Sequence, residues 1–439
     1  MLREKKTVRE WLLISCVALL VNLTACSDSN TIVGSIYTEH PHLISIEPDS
    51  GVFNTRVIIT GDYFGGGKST NTVHFNGHEA QLVSASKERL EVLVPKNAGS
   101  GPVSVTVNGK TGEGSQFTYI YTITVETWAG GVMGNRNGDG ESARFNRPWG
   151  IATDPSGALY IGDSENALIR KIDRDRHVTT WAGRGWGSGY KDGSADEALF
   201  SKPMGLALAP SGMLYVADAH NLAIRSVSYD RDVGTYSGIA NGISWKAPSD
   251  IAIGPDKTMY VTDPYNFQVK KIDRWGNVSI LAGSGRPGDN DGPAESATFT
   301  APLSLALHPD GKRLYVADYY SHRIRQIDIE TGSVSTLAGN REPGFRDGDL
   351  EMARLNRPTG IEVDADGTIL FSDSGNHAIR MIRDEEVVTL AGNGMPGHAD
   401  GIGDKARFNK PYHLALSYSE TFLYITDWEN HLVRRMRIE

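Results

Sequence analysis

Histidines and carboxylates that could support metal-dependent chemistry are scattered through the C-terminal part of the chain. They fall in predicted turns, links and strand starts: His220, His322, His377, His398, His413, His431, Glu165 and Glu429. Imidazole and carboxylate groups are common metal ligands and acid–base catalysts. However, His322, His377 and His431 fill the same position of a repeated segment. A residue that recurs from copy to copy does not mark one active site.

Motifs of known catalytic sites are missing from the sequence. It contains no Gly-x-Ser-x-Gly, no His-Glu-x-x-His and no phosphate-binding Gly-x-x-x-x-Gly-Lys-Ser/Thr. The stretch Asn135-Arg-Asn-Gly-Asp-Gly140 is similar to the start of a calcium loop, but the twelfth position is Asn146 rather than Glu, so the match fails. We therefore predict no catalytic set, no metal and no cofactor, with a metal-dependent lyase or hydrolase kept as an alternative.

Aromatic residues that differ from repeat to repeat are better candidates for a binding site. Eight of them stand in predicted turns and links: Trp149, Trp186, Trp245, Tyr265, Tyr319, Tyr320, Tyr412 and Trp428. Flat rings with a polar edge offer platforms for sugar rings. We predict that these residues bind ligand, although some of them could instead pack loops or plug a central channel.

The elements that position these residues come from a stretch written six times. In its clearest copy, residues 314–328, an apolar strand ends in Asp318, a polar turn follows, and Arg325 comes seven residues after the aspartate. The repeated pairs are Asp163 and Arg170, Asp218 and Arg225, Asp263 and Lys270, Asp318 and Arg325, Asp373 and Arg380, and Asp427 and Arg434. A period of this length is typical of an array of structural repeats.

Each repeat has four short strand-like segments separated by turn residues, which indicates an antiparallel meander. Six four-stranded repeats predict a six-bladed β-propeller, a fold that protects its strand edges by radial closure. The last repeat stops after its third strand, whereas residues 124–130 match the fourth strands of other repeats. We therefore predict that the first strand of the domain completes the last blade.

Alternate turns of a meander emerge at the same end of the sheet. The turns after each second strand and the links between blades should therefore share one face, called the loop face below. Five links are long and carry an apolar anchor, in order Phe145, Phe200, Phe299, Leu355 and Phe408. Because all eight candidate aromatics fall in these turns and links, we expect them to lie together on the loop face, where binding residues are often found.

Two motifs resemble the NHL repeat family: Asn376-His-Ala-Ile-Arg380 and its variant Asn430-His-Leu-Val-Arg434. The resemblance extends over residues 123–439 and is weakest in the third copy, Asn266-Phe-Gln-Val-Lys270. Some six-bladed relatives are metal-dependent lactonases or lyases, which keeps that alternative open. For the repeated Asp, Asn, His and Arg we predict structural roles, namely turn capping and an Asp–Arg pair between neighbouring strands.

Residues 1–25 have the features of an export signal. A basic start precedes the apolar run 11–21, which is too short to span a bilayer. The sequence Leu23-Thr-Ala-Cys26 resembles a bacterial lipobox, which implies lipid attachment at Cys26 and a tether over residues 26–40. By the same resemblance we expect the protein to be anchored in the outer membrane and to face the cell exterior. The other cysteine is Cys16, so the mature domains contain no thiol and no disulfide.

Residues 41–122 contain closely spaced alternating strands with Gly, Pro and Asn turns, which predict a small β-sandwich. The order Ile-Thr-Gly61-x-x-Phe64 followed by Val73-x-Phe-Asn-Gly77 resembles the immunoglobulin-like IPT/TIG domain. Such domains commonly act as spacers in exported proteins. The predicted fold class is therefore all-β, an immunoglobulin-like sandwich followed by a six-bladed propeller over residues 123–439.

The combination resembles accessory surface lipoproteins of Bacteroidetes polysaccharide utilisation systems. This implies a protein that binds a polysaccharide or oligosaccharide and delivers it to an outer-membrane transporter and its partner glycan-binding lipoprotein. A protein–protein interaction scaffold is a second alternative. The formal net charge of −9, without a long basic stripe, argues against nucleic acid as the main partner.

Overall fold

The computed structural model describes residues 40–438 except 97, 186, 239–241 and 243. The predicted signal segment, the lipid attachment residue Cys26 and the aromatic Trp186 lie outside the described residues. Among the described residues, all regular structure beyond short 3-10 turns is strand, and the strands form two sandwich sheets and six further sheets. The described part of the chain contains no helix with the length and hydropathy needed to cross a bilayer.

The sandwich is made of a four-stranded and a five-stranded sheet. In spatial order the first sheet contains His42–Glu47, Arg56–Asp62, Arg89–Leu93 and Gln81–Ala85. The second contains Ser50–Gly51, Lys110–Tyr119, Gly101–Val107, Asn71–Phe75 and His78–Glu79. Inward-facing residues alternate with outward-facing ones, and the buried members, such as Val57, Ile59 and Phe117, form one apolar core.

Each of blades 1 to 6 has four main strands, numbered from the axis outward. Blade 1 contains Pro148–Thr153, Leu159–Asp163, Leu168–Ile172 and His177–Ala182. Blade 2 contains Pro203–Leu208, Leu214–Asp218, Ala223–Val227 and Asp232–Gly238. Blade 3 contains Asp250–Ile253, Met259–Asp263, Gln268–Ile272 and Val278–Ala282. Blade 4 contains Pro302–Leu307, Arg313–Asp318, Arg323–Asp328 and Val334–Ala338. Blade 5 contains Pro358–Val363, Ile369–Asp373, Ala378–Arg383 and Glu386–Ala391. Blade 6 contains Pro411–Leu416, Phe422–Asp427, Leu432–Ile438 and Ile123–Gly130.

Shorter elements complete the blades. Two-residue strands add to the outer edges of blades 1, 2, 5 and 6: Gly138–Asp139, Gly193–Ser194, Gly348–Asp349 and Gly401–Ile402. A single 3-10 turn joins the second strand to the third in every blade: Ser164–Asn166, Ala219–Asn221, Pro264–Asn266, Tyr319–Ser321, Ser374–Asn376 and Trp428–Asn430. Further 3-10 turns are Lys68–Thr70, Gly140–Ser142 and Gly403–Lys405.

The ring closes as the sequence predicts. Ile123–Gly130 pairs antiparallel with Leu432–Ile438, with Ile123 opposite Ile438 and Gly130 opposite Leu432. The first strand of the propeller is thus the outermost main strand of blade 6. Each innermost strand contacts those of the two neighbouring blades, so the six strands surround one axis. The predicted six-bladed propeller is confirmed, and apolar side chains between adjacent blades form its core.

The sandwich contacts the propeller at the face opposite the loop face. Arg383, at the end of the third strand of blade 5, donates through Nη2 to His78 Nε2 at 2.9 Å and through Nη1 to the Tyr121 hydroxyl at 3.3 Å. Asn76 donates to Asp384 Oδ2 at 3.5 Å. In a meander the end of a third strand lies opposite the end of a second strand. The loop face is therefore turned away from these contacts.

Candidate functional site

The repeated aspartate and cation form a buried ion pair in each blade. The N–O distances run from 2.7 Å for Asp263 and Lys270 to 3.3 Å for Asp318 and Arg325, and all six aspartate side chains are 0% exposed. In five blades the asparagine three residues after the aspartate also donates to its carboxylate. The predicted Asp–Arg pairs are confirmed, and they fix the turn after every second strand.

The apolar anchors of the links pack against the same arginines. The guanidinium carbon of Arg170 lies 5.3 Å from the Phe145 ring centroid, and the other phenylalanine anchors have the same arrangement. In blade 3 the shortened link puts Trp245 in this position, with Lys270 Nζ 4.8 Å from its ring. Trp245 is only 2% exposed, and its Nε1 donates to Ser237 Oγ at 3.2 Å. Its predicted place among the ligand-binding aromatics is wrong, because it packs the link.

The repeated histidines connect neighbouring blades. The Nδ1 atom of His431 accepts the backbone N–H of Arg147 at 3.1 Å, that of His322 accepts from Arg357 at 3.0 Å, and that of His377 accepts from Lys410 at 3.1 Å. Burial lowers the pKa of all three histidines, which keeps Nδ1 free to accept. Within the described residues no three His, Cys, Asp or Glu side chains are arranged to hold a metal ion.

Five of the predicted aromatics form one cluster at the centre of the loop face. The ring centroids of Trp149 and Tyr412 are 4.3 Å apart, and those of Tyr412 and Trp428 are 5.0 Å apart. Tyr319 and Tyr320 follow at 4.8 Å from each other. Burial raises the pKa of Tyr412, and the neighbouring Tyr319 hydroxyl adds to the shift, so the two halves of the cluster lie beside each other.

The aromatic residues differ in how far ligand could reach them. Tyr265 and Tyr320 are 68% and 62% exposed. Trp149 and Tyr412 are 8% exposed and form the floor of the cluster. Trp428 is half-buried, because it packs against Tyr412 and under cationic side chains. Tyr265 and Tyr320 are thus exposed platforms, whereas Trp149 and Tyr412 form a buried floor that closes the central channel at the loop face.

Cationic residues that the sequence reasoning missed surround this cluster. The residue before the proline that opens the inner strand is Arg147, Lys202, Arg357 or Lys410 in four blades. All four have left-handed backbone, with φ between 53° and 62°. The guanidinium carbon of Arg147 lies 4.6 Å from the Trp428 ring centroid, and that of Arg357 lies 5.8 Å from the Tyr319 centroid. The repeated Arg/Lys-Pro dipeptide is the sequence signal from which these cations could have been predicted.

A second polar group lies inside the central channel, below the aromatic floor. Asp250 accepts from Ser304 Oγ at 2.5 Å, and its other oxygen lies 3.0 Å from His413 Nε2 as an ion pair. Burial alone lowers the pKa of His413, but the Asp250 carboxylate outweighs it and the pKa is raised. Glu362 lines the same cavity of about 280 Å³. Four blades supply these unrepeated residues, so only ring closure brings them together.

Family models match both parts of the chain. Residues 41–121 match the IPT/TIG domain, and residues 145–172 match the NHL repeat. The chain therefore carries an IPT/TIG domain followed by an NHL-repeat propeller. The match to the NHL model falls on blade 1, which contains the Asp163–Arg170 pair.

The relatives that match this chain in sequence are much longer proteins. The chain is 32% identical over 305 residues to protein SUPPRESSOR OF QUENCHING 1, chloroplastic, of Arabidopsis thaliana, covering 63% of this chain and 29% of that protein. It is 28% identical over 330 residues to human NHL repeat-containing protein 2, covering 70% of this chain and 41% of that protein. The chain thus spans less than half the length of these relatives.

Solved structures of bacterial proteins share the whole two-part fold. A Bacteroides thetaiotaomicron protein of unknown function matches with a TM-score of 0.65 at 22% identity, covering 92% of this chain and 99% of that one. Two auxiliary nutrient binding proteins match over 92% of this chain. The one from B. thetaiotaomicron has a TM-score of 0.58 at 19% identity over 98% of its length, and the one from Bacteroides ovatus has 0.57 at 22% over 99%.

Proposed function

We propose that the loop face of the propeller binds a polysaccharide or oligosaccharide nutrient. The observation that carries this proposal is the contiguous cluster of unrepeated rings, Trp149, Tyr412, Trp428, Tyr319 and Tyr320, at the axis of the loop face. Two proteins of the same fold are described as auxiliary nutrient binding proteins, which supports a nutrient ligand by analogy.

The two exposed tyrosines are the contact platforms in this proposal. A sugar ring stacks its C–H face on Tyr320 or Tyr265, and the phenol hydroxyls hydrogen-bond to its hydroxyl groups. The buried Trp149 and Tyr412 support these contacts from below and keep the loop face closed at the axis. Binding therefore takes place on a surface that is already formed before ligand arrives, which reduces the entropic cost of ordering.

Affinity electrophoresis on a panel of neutral and acidic polysaccharides tests the proposal. We expect retardation by at least one polymer, and two- to tenfold weaker binding in Tyr320→Ala and Tyr265→Ala, the loss of about 0.5–1.5 kcal/mol for each platform. Tyr229→Ala is the matched control, because Tyr229 is 83% exposed and lies in a turn at the opposite face. Absence of retardation by every polymer, or equal effects of all three variants, contradicts glycan binding at the loop face.

A lipid anchor at Cys26 and an outer-membrane location complete the proposal. The loop face is turned away from the contacts between sandwich and propeller, an orientation suited to a sandwich that acts as a spacer. Cys26→Ala should move the protein from the outer-membrane fraction to the soluble periplasmic fraction. Protease treatment of intact cells should cleave the wild-type protein if it faces outward, and full protection would contradict that orientation.

Delivery to a transporter is the last step that we propose. An accessory glycan-binding lipoprotein would pass its ligand to an outer-membrane transporter and that transporter's own glycan-binding lipoprotein. Crosslinking in cells grown on the bound glycan, followed by affinity purification, should recover these two partners. Recovery of neither partner under conditions in which glycan binding is retained would restrict the protein to ligand capture.

A further inference from the structure

The mouth of the loop face carries an excess of positive charge on an acidic protein. We define the mouth as the residues before the inner-strand prolines together with the 3-10 turns after the second strands. These positions contain four cations, Arg147, Lys202, Arg357 and Lys410, and two carboxylates, Glu165 and Glu429. The chain as a whole has a net charge of −9. The local charge therefore has the opposite sign to that of the molecule.

The excess charge is concentrated beside the aromatic cluster. Glu165, in the turn after the second strand of blade 1, pairs at 3.4 Å with Lys202, which precedes the inner strand of blade 2. Glu429 is shared by Arg147 at 3.3 Å and Lys410 at 3.4 Å. Arg357 is exposed and has no carboxylate partner among the described residues. Three cations and one carboxylate thus adjoin the rings of Trp428 and Tyr319.

The backbone beneath these three cations is held in place. Left-handed φ values are costly for residues other than glycine and persist where neighbouring groups impose them. Here the Nδ1 atoms of His431, His322 and His377 accept the N–H groups of Arg147, Arg357 and Lys410. The backbone positions of the three cations around the rings are therefore fixed. Fixed cations that lie close together are an arrangement that favours binding of an anion.

We infer that the ligand of the loop face is an anionic saccharide, with a carboxylate or sulfate ester bound by Arg357 and by the Arg147–Lys410 pair, and its sugar ring placed on the Tyr319–Tyr320 side of the cluster. This inference rests on the proposed function and gives its substrate class. Guanidinium groups bind carboxylate and sulfate through paired hydrogen bonds, and the adjacent rings supply the apolar contact that a free anion does not need.

Matched pairs of polymers test the charge of the ligand by titration calorimetry with the purified mature chain. The probes are polygalacturonate and alginate with their carboxyl-reduced forms, and chondroitin sulfate with its desulfated form. We expect at least one anionic polymer to bind tenfold or more tightly than its neutral counterpart. We also expect that affinity to fall several-fold between 50 and 200 mM NaCl, because exposed charges are screened over about 10 Å.

A charge variant tests the residue assignment. Arg357→Gln should weaken binding of the anionic polymer about tenfold and leave binding of the neutral form unchanged, as expected when one charge-assisted contact is lost. Lys312→Gln is the control, because Lys312 is an exposed cation at the opposite face. Arg357→Lys should restore part of the affinity. An equal loss in Arg357→Gln and Lys312→Gln overturns the assignment.

The outcomes separate this inference from the proposed function. Equal binding of an anionic polymer and its neutral form overturns the anionic class and leaves glycan binding intact. Binding of no polysaccharide overturns both. Binding of single-stranded DNA as tight as that of the best anionic polysaccharide, and insensitive to Tyr320→Ala, overturns the saccharide and indicates a general polyanion surface.

Discussion

Glu362 occupies a position that is alanine in the other five blades, at Ala152, Ala207, Ala252, Ala306 and Ala415. It makes no hydrogen bond or ion pair within the described residues, although channel solvent reaches part of its side chain. Burial raises its pKa to about 8, and the neighbouring Asp250 adds to the shift while His413 opposes it. The folded protein therefore holds a proton on Glu362 at neutral pH.

That proton makes stability depend on pH. In the unfolded chain Glu362 loses this proton above a pKa of about 4.5, whereas in the folded protein it keeps the proton up to about pH 8. The contribution of the proton to the unfolding free energy is therefore complete below pH 4.5 and is lost by about pH 8. The unfolding free energy of the wild type should fall relative to Glu362→Gln across this range, by at most about 1.4 kcal/mol per pH unit. Urea unfolding between pH 5 and 8 measures it, with Glu385→Gln as the exposed control. Parallel curves for wild type and Glu362→Gln would contradict the buried proton.

The buried Asp–Arg pairs predict a large cost for removing one partner. Arg225 is fully buried and contacts Asp218 at 2.9 Å. Arg225→Met leaves the Asp218 carboxylate without its cation, and we expect a loss of about 3–5 kcal/mol in unfolding free energy. Arg286→Met, at an exposed position in a link, should change stability by less than about 0.5 kcal/mol. Similar values for the two variants in chemical denaturation would show that the pair contributes little.

At the scale of elements, three of the links between blades are held by a histidine from the preceding blade. His431, His322 and His377 each adopt left-handed backbone at the end of a 3-10 turn and reach the next link. Blades 1, 2 and 3 have Ala167, Leu222 and Phe267 at this position and therefore lack the contact. The repeated histidine is thus an inter-blade connection rather than a metal ligand.

Removal of one connection should loosen one junction. His431→Leu deletes the acceptor for the Arg147 N–H, and we expect a loss of about 1 kcal/mol, since a partly buried donor is left without its partner. Amide hydrogen exchange should increase at Arg147 and its neighbours more than elsewhere. His220→Leu is the control, because His220 is exposed in the equivalent turn of blade 2. Unchanged exchange at Arg147 would argue against the connection.

Sequence could predict features that are encoded within one repeat. The Asp163–Arg170 spacing gives the ion pair directly, because both residues lie on strands joined by one turn. The burial of Trp245 depends on link length, which shifts the residue into the anchor position. The burial of Trp149 and Tyr412 likewise depends on packing against residues of other blades. Asp250, Ser304 and His413 meet only when separate blades close around the axis, so no local pattern connects them.

For the whole molecule, the pairing of Glu126 with Arg435 gives a direct test of closure. The two residues are partners in the antiparallel ladder and form an ion pair across 309 positions of sequence. Glu126→Cys combined with Arg435→Cys should form a disulfide, because the two residues are opposite each other in the ladder, and residues 27–439 contain no cysteine that could compete. We expect an increase of about 2–4 kcal/mol in unfolding free energy that disappears with reductant. The single variants are controls, and a bridge without stabilisation would show that the ring opens elsewhere.

The closing strand also sets the order of biogenesis. Ile123–Gly130 emerges before the rest of the propeller and lacks its main ladder partner until Leu432–Ile438 is made, because that partner follows every other described strand. Until then Ile123–Gly130 presents an open edge of the kind that promotes aggregation. A prematurely terminated chain lacks the partner strand and keeps such an edge. Proteolytic surveillance can therefore distinguish finished molecules from truncated ones by this single unpaired segment.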